Sequence, residues 1–155
     1  MHEFVAALYE EHARELITAL SLSTGDREAA QDLTHEAFVR AIDREEQLKA
    51  HPNPRAWLFR TGYSLASNRW KLLLRRRLKM EGGTPAPPQE DWDGVLDLRE
   101  GLKKLPRRQR DVLILHLYLG YSIPEVASML DLAEGTVHSH LQRGRVALIK
   151  GEAIK

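Results

Sequence analysis

Apolar residues recur at three- and four-residue intervals along most of the chain, and strict alternation of apolar and polar residues is almost absent. This spacing places the apolar side chains on one face of an α-helix, so the pattern predicts an all-α protein. The first predicted helix carries Phe4, Leu8, His12 and Ile17 on its apolar face, and Gly25 breaks the pattern in the turn that follows.

Two longer helices are predicted after this turn. Asp26 is positioned to cap the second helix, whose apolar face consists of Leu33, Ala37, Phe38, Ala41 and Ile42. The prolines of "HPNPR" interrupt the pattern, and a third helix runs from about Pro54 to Leu78. Its apolar face is predicted to be Trp57, Leu58, Thr61, Leu65, Asn68 or Arg69, and Leu72. Three helices with short connections predict a compact bundle.

A change of composition separates this bundle from the rest of the chain. Glycine, proline and acidic residues dominate "MEGGTPAPPQEDWDG", which predicts a flexible or extended linker. Four further helical segments follow between Val95 and Ile149. We therefore predict two small helical domains, residues 1–80 and 95–155, joined by a linker at 81–94. Cores of this size are marginal, so neither domain is expected to be very stable alone.

The last two helices have the outline of a helix-turn-helix, since they are short and only the segment "DLAE" separates them. Ser122 and Glu125 form the pattern of a capping box at the start of the first helix. Ala127 is the small residue expected where the two helices cross. The buried face of the last helix is predicted to be Val137, Leu141, Gly144 and Leu148, with Gly144 permitting close approach.

The other side chains of the last helix can be sorted by the rotation of 100° per residue. Ser139, Gln142 and Arg143 point away from the buried face, while the flanks carry His138 with Arg145 and Thr136 with His140. The two histidines are about 200° apart and cannot chelate one metal from a single helix, so no metal site is expected. Arginine, glutamine and serine pair with base edges in the major groove, so this face predicts DNA contact.

Charge is distributed in blocks, although the formal net charge is only +1. Residues 1–46 are acidic, 47–80 contain no carboxylate, 81–98 contain no Lys or Arg, and the remainder is basic overall. Each block is either an ordinary solvated surface or a site for a partner of opposite charge.

The chain contains no cysteine, so disulfides and zinc–thiolate sites are excluded. No apolar run reaches the roughly 18 residues of a membrane span, so a cytoplasmic protein without membrane insertion is expected.

Three blocks resemble the extracytoplasmic-function (ECF) sigma factors of bacterial RNA polymerase. "AAQDLTHEAFVRAI" is similar to the region-two pattern A-x-D-L-x-Q-E-x-F-x-R-A, and "NPRAWLFRTGYSLASNRW" to P-x-x-W-L-x-R-I-A-x-N. The segment from "LREGLKKLPRRQR" to "HLQRGR" resembles region four, including L-P-x-x-Q-R and G-x-S-x-x-E-x-A. The resemblance implies a factor that directs core RNA polymerase to promoter DNA, with no catalytic activity and no cofactor. Because many members are held inactive by an anti-sigma factor, such a protein is a further candidate partner.

The resemblance also assigns roles to individual residues. Core polymerase contacts fall on Asp32, Glu36, Arg40 and Asp43, where like charges at i,i+4 suit a basic partner. Contacts with the unpaired minus-ten strand fall on Tyr63, Ser64, Asn68, Arg69, Trp70, Arg75, Arg76 and Arg77. Contacts with the minus-thirty-five duplex fall on Thr136, His138, Ser139, His140, Gln142, Arg143 and Arg145.

Several positions depart from the family pattern. The recognition helix of these factors usually reads T-V-K/R-S-R-L-x-R-A-R, whereas this chain has His138, His140 and Gly144 in place of two basic residues and an alanine. Ser64 stands where asparagine is usual. These changes leave two alternatives open: a sigma-like decoy that sequesters an anti-sigma factor, and a helix-turn-helix repressor.

Overall fold

A computed structural model of the chain describes the backbone of residues 1–79 and 96–149 and the side chains of 1–76 and 100–149. These ranges contain eight α-helices and no strand, which confirms the all-α prediction. The helices are α1 (Glu3–Thr24), α2 (Arg27–Asp43), α3 (Glu45–Lys49), α4 (Pro54–Lys79), α5 (Leu96–Lys103), α6 (Arg107–Leu113), α7 (Ile123–Leu130) and α8 (Glu134–Ile149). The predicted linker at 81–94 lies outside the described residues.

The local signals for helix ends are confirmed. Gly25 adopts a left-handed conformation (φ 75°), and its N–H donates to the Ser21 carbonyl at 2.8 Å, which ends α1. Asp26 caps α2 by accepting the N–H of Ala29 at 3.1 Å. Ser122 and Glu125 form the capping box of α7, since each side chain accepts the other residue's backbone N–H.

A π-helical turn, Ile114–Tyr118, continues α6. In this turn the N–H of Leu119 donates to the Ile114 carbonyl, five residues back, at 2.9 Å. Gly120 then reverses the chain with φ 81°, and the N–H of Tyr121 donates to the Leu115 carbonyl at 2.9 Å. The π turn and the glycine together set the direction in which Tyr121 leaves the helix.

The buried face of α4 is wider than the apolar pattern predicts. Leu58 and Leu65 are buried as expected, but Phe59, Tyr63 and Ala66 are buried as well. The prediction for the C-terminal part of the helix was wrong, because Leu72 is 50% exposed and Asn68 and Arg69 are also exposed. α4 contacts α1 and α2 on one side and α7 on another, so two of its faces are covered in its N-terminal half. In α2, similarly, Ile42 is 38% exposed whereas the other four predicted apolar residues are buried.

One hydrophobic core extends through both halves of the chain. Its members from α1 and α4 include Leu16, Phe59 and Tyr63, and its members from α6 to α8 include Val112, Met129 and Val137. A smaller core lies inside the N-terminal half and contains Val5, Leu8, Phe38, Leu48 and Leu58. We call α1–α4 the N-terminal bundle and α5–α8 the C-terminal bundle; the two pack directly against each other.

Candidate nucleic-acid and protein interfaces

The outer face of α2 carries the four residues assigned to polymerase binding. Asp32, Glu36, Arg40 and Asp43 are all exposed, and their spacing of four, four and three residues keeps them on one side of the helix. Glu36 pairs with Arg40, with Oε1 and Nη2 3.4 Å apart. Val39 adds an apolar group that is 56% exposed. The face is therefore open to a partner and combines negative charge with one apolar contact.

The helix-turn-helix consists of α7, a three-residue turn and α8. Asp131 enters the turn in a left-handed conformation (φ 56°), and the N–H of Leu132 donates to the Ala127 carbonyl at 2.9 Å. Val137, Leu141 and Gly144 on α8 are buried and Leu148 is partly buried, as predicted. The exposed residues on its other faces include Thr136, His138, Ser139, Gln142, Arg143 and Arg145.

Gly144 fixes the distance between α8 and α6. A Cβ built on this residue would lie 2.8 Å from Leu113 Cδ1 and 3.1 Å from Leu113 Cγ, closer than carbon atoms normally approach. Leu113 is itself buried in the central core. Because Gly144 has no side chain, α8 can pack closely against α6, and the opposite face of α8 is directed to solvent.

The two histidines of α8 have different surroundings. His138 is exposed, whereas His140 is half-buried and its Nδ1 has no hydrogen-bond partner among the described residues. Burial lowers the pKa of His140, and the nearby guanidinium groups of Arg143 and Arg108 lower it further. The surroundings of His140 in the free chain thus disfavour its charged form.

The second half of α4 presents most of the residues assigned to the minus-ten strand. Ser64, Asn68, Arg69, Arg75 and Arg76 are exposed, Trp70 is 54% exposed, and the side chain of Arg77 lies outside the described residues. Exposed aromatic and basic side chains on one stretch of helix are the residue types that single-strand binding uses.

Tyr63 is the exception within this group, because it is only 1% exposed. Its pKa is raised well above the usual value by burial and then by the neighbouring Asp111 carboxylate. Tyr63 therefore faces α6 of the C-terminal bundle, and it cannot contact a base while the two bundles are packed together. Phe59 on the same helix is also buried, and its ring contacts Tyr121 of the C-terminal bundle edge to face.

Two arginines on α4 were not among the predicted site residues. Arg55 pairs with Glu125, and Arg60 Nη2 lies 3.0 Å from Asp131 Oδ1. Both carboxylates belong to the helix-turn-helix, 70 or more residues further along the chain. The only sequence signal for these pairs was the carboxylate-free run that surrounds the two arginines.

No group of three or more His, Asp and Glu side chains in the described residues is arranged to hold a metal ion. No helix in the same ranges is long and apolar enough to cross a membrane.

Comparison with known proteins identifies the family. The model of sigma-70 region 2 matches residues 8–77, and that of sigma-70 region 4 matches residues 96–148. The ECF sigma factor SigL of Mycobacterium tuberculosis is 32% identical over 143 residues, which is 87% of this chain and 81% of SigL. YlaC, a sigma factor of Bacillus subtilis, is 27% identical over 153 residues, covering 92% of this chain and 88% of YlaC.

A solved structure has the same fold. The sigma factor RpoE of Bartonella quintana, crystallised with the anti-sigma factor NepR, superimposes with a TM-score of 0.80. The superposition covers 99% of this chain and 97% of RpoE at 21% sequence identity. Together with the two conserved regions and the SigL relationship, this establishes that the chain belongs to the ECF sigma factors, which bind core RNA polymerase and direct it to promoters.

Proposed function

We propose that the chain divides promoter recognition between its two halves. Residues 1–80 bind core polymerase and the minus-ten element, and residues 95–155 read the minus-thirty-five element as duplex DNA. The observation that carries this proposal is the face of α8. A helix-turn-helix holds it outward, and Ser139, Gln142 and Arg143 lie along it without being covered by the rest of the described chain.

In this proposal the residues of α8 have separate roles. Arg143 and Gln142 have the donors and acceptors for bidentate contact with guanine and adenine. Ser139 donates its hydroxyl to the Gly135 carbonyl at 3.1 Å, so its oxygen remains available as an acceptor. His138 and Arg145 lie on the same flank, where phosphate contacts would orient the helix in the groove.

The exposed acidic face of α2 supports its assignment to core polymerase. Asp32 has no ion-pair partner among the described residues, and Glu36 is paired only with exposed Arg40. Such a surface gains little stability from its own charges, and a basic partner would relieve the repulsion between them.

The exposed end of α4 supports a role in holding the unpaired minus-ten strand. Trp70 offers a stacking surface, and Arg69, Arg75 and Arg76 offer phosphate contacts that do not depend on sequence. The protein would act in the cytoplasm beside the polymerase, as an initiation factor without catalytic activity. An anti-sigma factor is a candidate regulator, since the related RpoE was crystallised with one.

Run-off transcription with purified core polymerase and a pool of genomic promoters tests the proposal. We expect transcripts that depend on the added protein and start at a limited set of promoters. Core binding without initiation at any promoter would favour the decoy. Tight, specific duplex binding by the free protein with no effect of core polymerase would favour a repressor.

A further inference from the structure

The outward face of α8 carries an apolar side chain, Val146, among its polar residues. Val146 is 42% exposed and follows Ser139, Gln142 and Arg143 along the helix. At 100° per residue, Val146 points between Gln142 and Arg143 and about 20° from Ser139. It therefore lies near the centre of the face proposed to meet the minus-thirty-five duplex.

The same rotation places Val146 opposite the buried side of the helix. Val137, Leu141 and Gly144 are buried, and their mean direction is about 170° from that of Val146. The side chain is thus not part of the core that holds α8 in place. Single exposed apolar residues are common on protein surfaces, so the position of Val146, more than its exposure, distinguishes it.

The surface around Val146 is concave. Two shallow depressions of about 460 and 350 Å³ lie on it, and Gln142 and Val146 line both of them. Arg143 borders the first depression and Arg145 the second. Among the described residues, no carboxylate lines either depression. A group that enters them meets hydrogen-bond donors at the edges and the apolar valine at the centre.

A base pair offers one apolar group in the major groove, the C5-methyl group of thymine. Arginine and glutamine read guanine and adenine through hydrogen bonds, whereas apolar side chains read thymine by contact with this methyl group. The side chain of valine has no hydrogen-bond donor or acceptor. Contact with the methyl group is therefore the means by which Val146 can distinguish one base pair from another.

The helical rise fixes which base pair Val146 can reach. Val146 lies three residues beyond Arg143, which is about 4.5 Å along the helix axis. Successive base pairs are about 3.4 Å apart. When Arg143 contacts one base pair, Val146 is therefore within two base pairs of it.

We propose that Val146 is a specificity-determining residue, which selects a thymine through its C5-methyl group within two base pairs of the pair read by Arg143. This inference rests on the proposed function, since it assumes that α8 lies in the major groove of the minus-thirty-five element. Val146 adds sequence discrimination without adding charge. It leaves the non-specific attraction to phosphates unchanged.

Replacement of thymine by deoxyuridine tests the proposal, because it removes the C5-methyl group and keeps the hydrogen-bonding groups of the base. Each thymine in the upstream element of a transcribed promoter is replaced in turn, on either strand. Binding by the complex of this chain with core polymerase is then measured by competition at constant salt. One replacement should weaken binding about fourfold, the factor for one methyl group that is no longer buried.

The variant Val146→Ala should remove the response to this replacement. It should bind the thymine promoter about fourfold more weakly than the unsubstituted chain does, and deoxyuridine should weaken its binding no further. The substitution shortens an exposed side chain and favours helix, so folding is preserved. Leu117→Ala is the control, because Leu117 is 48% exposed and belongs to the π-helical turn, outside α8. This control should keep the full response to deoxyuridine.

The outcomes separate this inference from the proposed function. Equal binding of thymine and deoxyuridine promoters at every position would overturn the inference even if transcription succeeds. A deoxyuridine effect that persists in Val146→Ala would also overturn it, as would one more than two base pairs from the position at which Arg143→Ala relaxes preference.

Absence of transcription at every promoter would overturn the proposed function. The same replacements, made in duplexes that the free protein selects from a random pool, would then still decide whether Val146 reads a methyl group. Failure to select any duplex would overturn both proposals.

Discussion

The close contact between Gly144 and Leu113 predicts that Gly144→Ala destabilises the protein when Leu113 is present and stabilises it when Leu113 is replaced by a smaller residue. Gly144→Ala gains about 1 kcal/mol of helix propensity. The new Cβ would lie 2.8 Å from Leu113 Cδ1, and such overpacking in a buried contact destabilises by about 1–3 kcal/mol. We expect a net loss of up to about 2 kcal/mol in the free energy of unfolding, the difference between these two effects.

The same substitution should become stabilising when Leu113 is made small. Leu113→Ala alone should destabilise by about 2–5 kcal/mol, because it leaves a cavity in the core. In that background Gly144→Ala fills space and keeps its helix propensity, so it should stabilise by about 1 kcal/mol. The double-mutant cycle should therefore show a coupling of about 1–3 kcal/mol, measured by denaturant unfolding of the full chain.

Gly135 provides the matched control on the same helix. A Cβ at Gly135 would meet no atom within 4 Å, so Gly135→Ala should stabilise by up to about 1 kcal/mol in both backgrounds. If Gly144→Ala were equally stabilising with Leu113 present or absent, the close approach of α6 and α8 would not be what this glycine permits. The alanine usual at this position in the family would then be acceptable here without any rearrangement.

Three further predictions concern the proposed interfaces and the core. Replacing both Asp32 and Glu36 with lysine should abolish core polymerase binding in a pull-down while the circular dichroism spectrum stays unchanged; retained binding would refute the assignment. Arg143→Ala should weaken duplex binding by about 1–3 kcal/mol and relax preference at one base pair, whereas a uniform loss across sequences would identify a phosphate contact. Burial lowers the pKa of His12 from its usual 6.5, so its contribution to stability is complete above that pH and is lost as the pH falls. His12→Leu should remove this dependence in urea unfolding series, and an effect of the substitution that did not vary with pH would contradict the prediction.

Features determined by neighbouring residues were predictable from the sequence. The end of α1 at Gly25, the Asp26 cap and the capping box of Ser122 and Glu125 each depend on residues within four positions. The buried face of α8 was also predictable, because that helix packs along one side only. The family pattern additionally indicated where along the chain this helix lies.

Features determined by distant residues were not predictable in the same way. The periodicity of α4 indicates one buried face, but Phe59 and Tyr63 on another face are buried where the C-terminal bundle packs against this helix. The partners of Ser23 and Glu15 lie 88 and 106 residues further along the chain. No local pattern distinguishes those side chains from ordinary exposed polar residues. The assignment of Tyr63 to the minus-ten strand therefore remains a prediction about the separated bundles.

The π-helical turn at Ile114–Tyr118 bears on how this chain tolerates insertions and deletions. Loss of one residue within the turn would convert it to a regular α-helical turn and rotate everything beyond it by about 100° relative to α6. Tyr121 would then turn away from Phe59, while α7 and α8 could keep their own internal geometry. A single-residue deletion here would therefore change both the contact between the two bundles and the packing of α8 against α6 at Gly144 and Leu113.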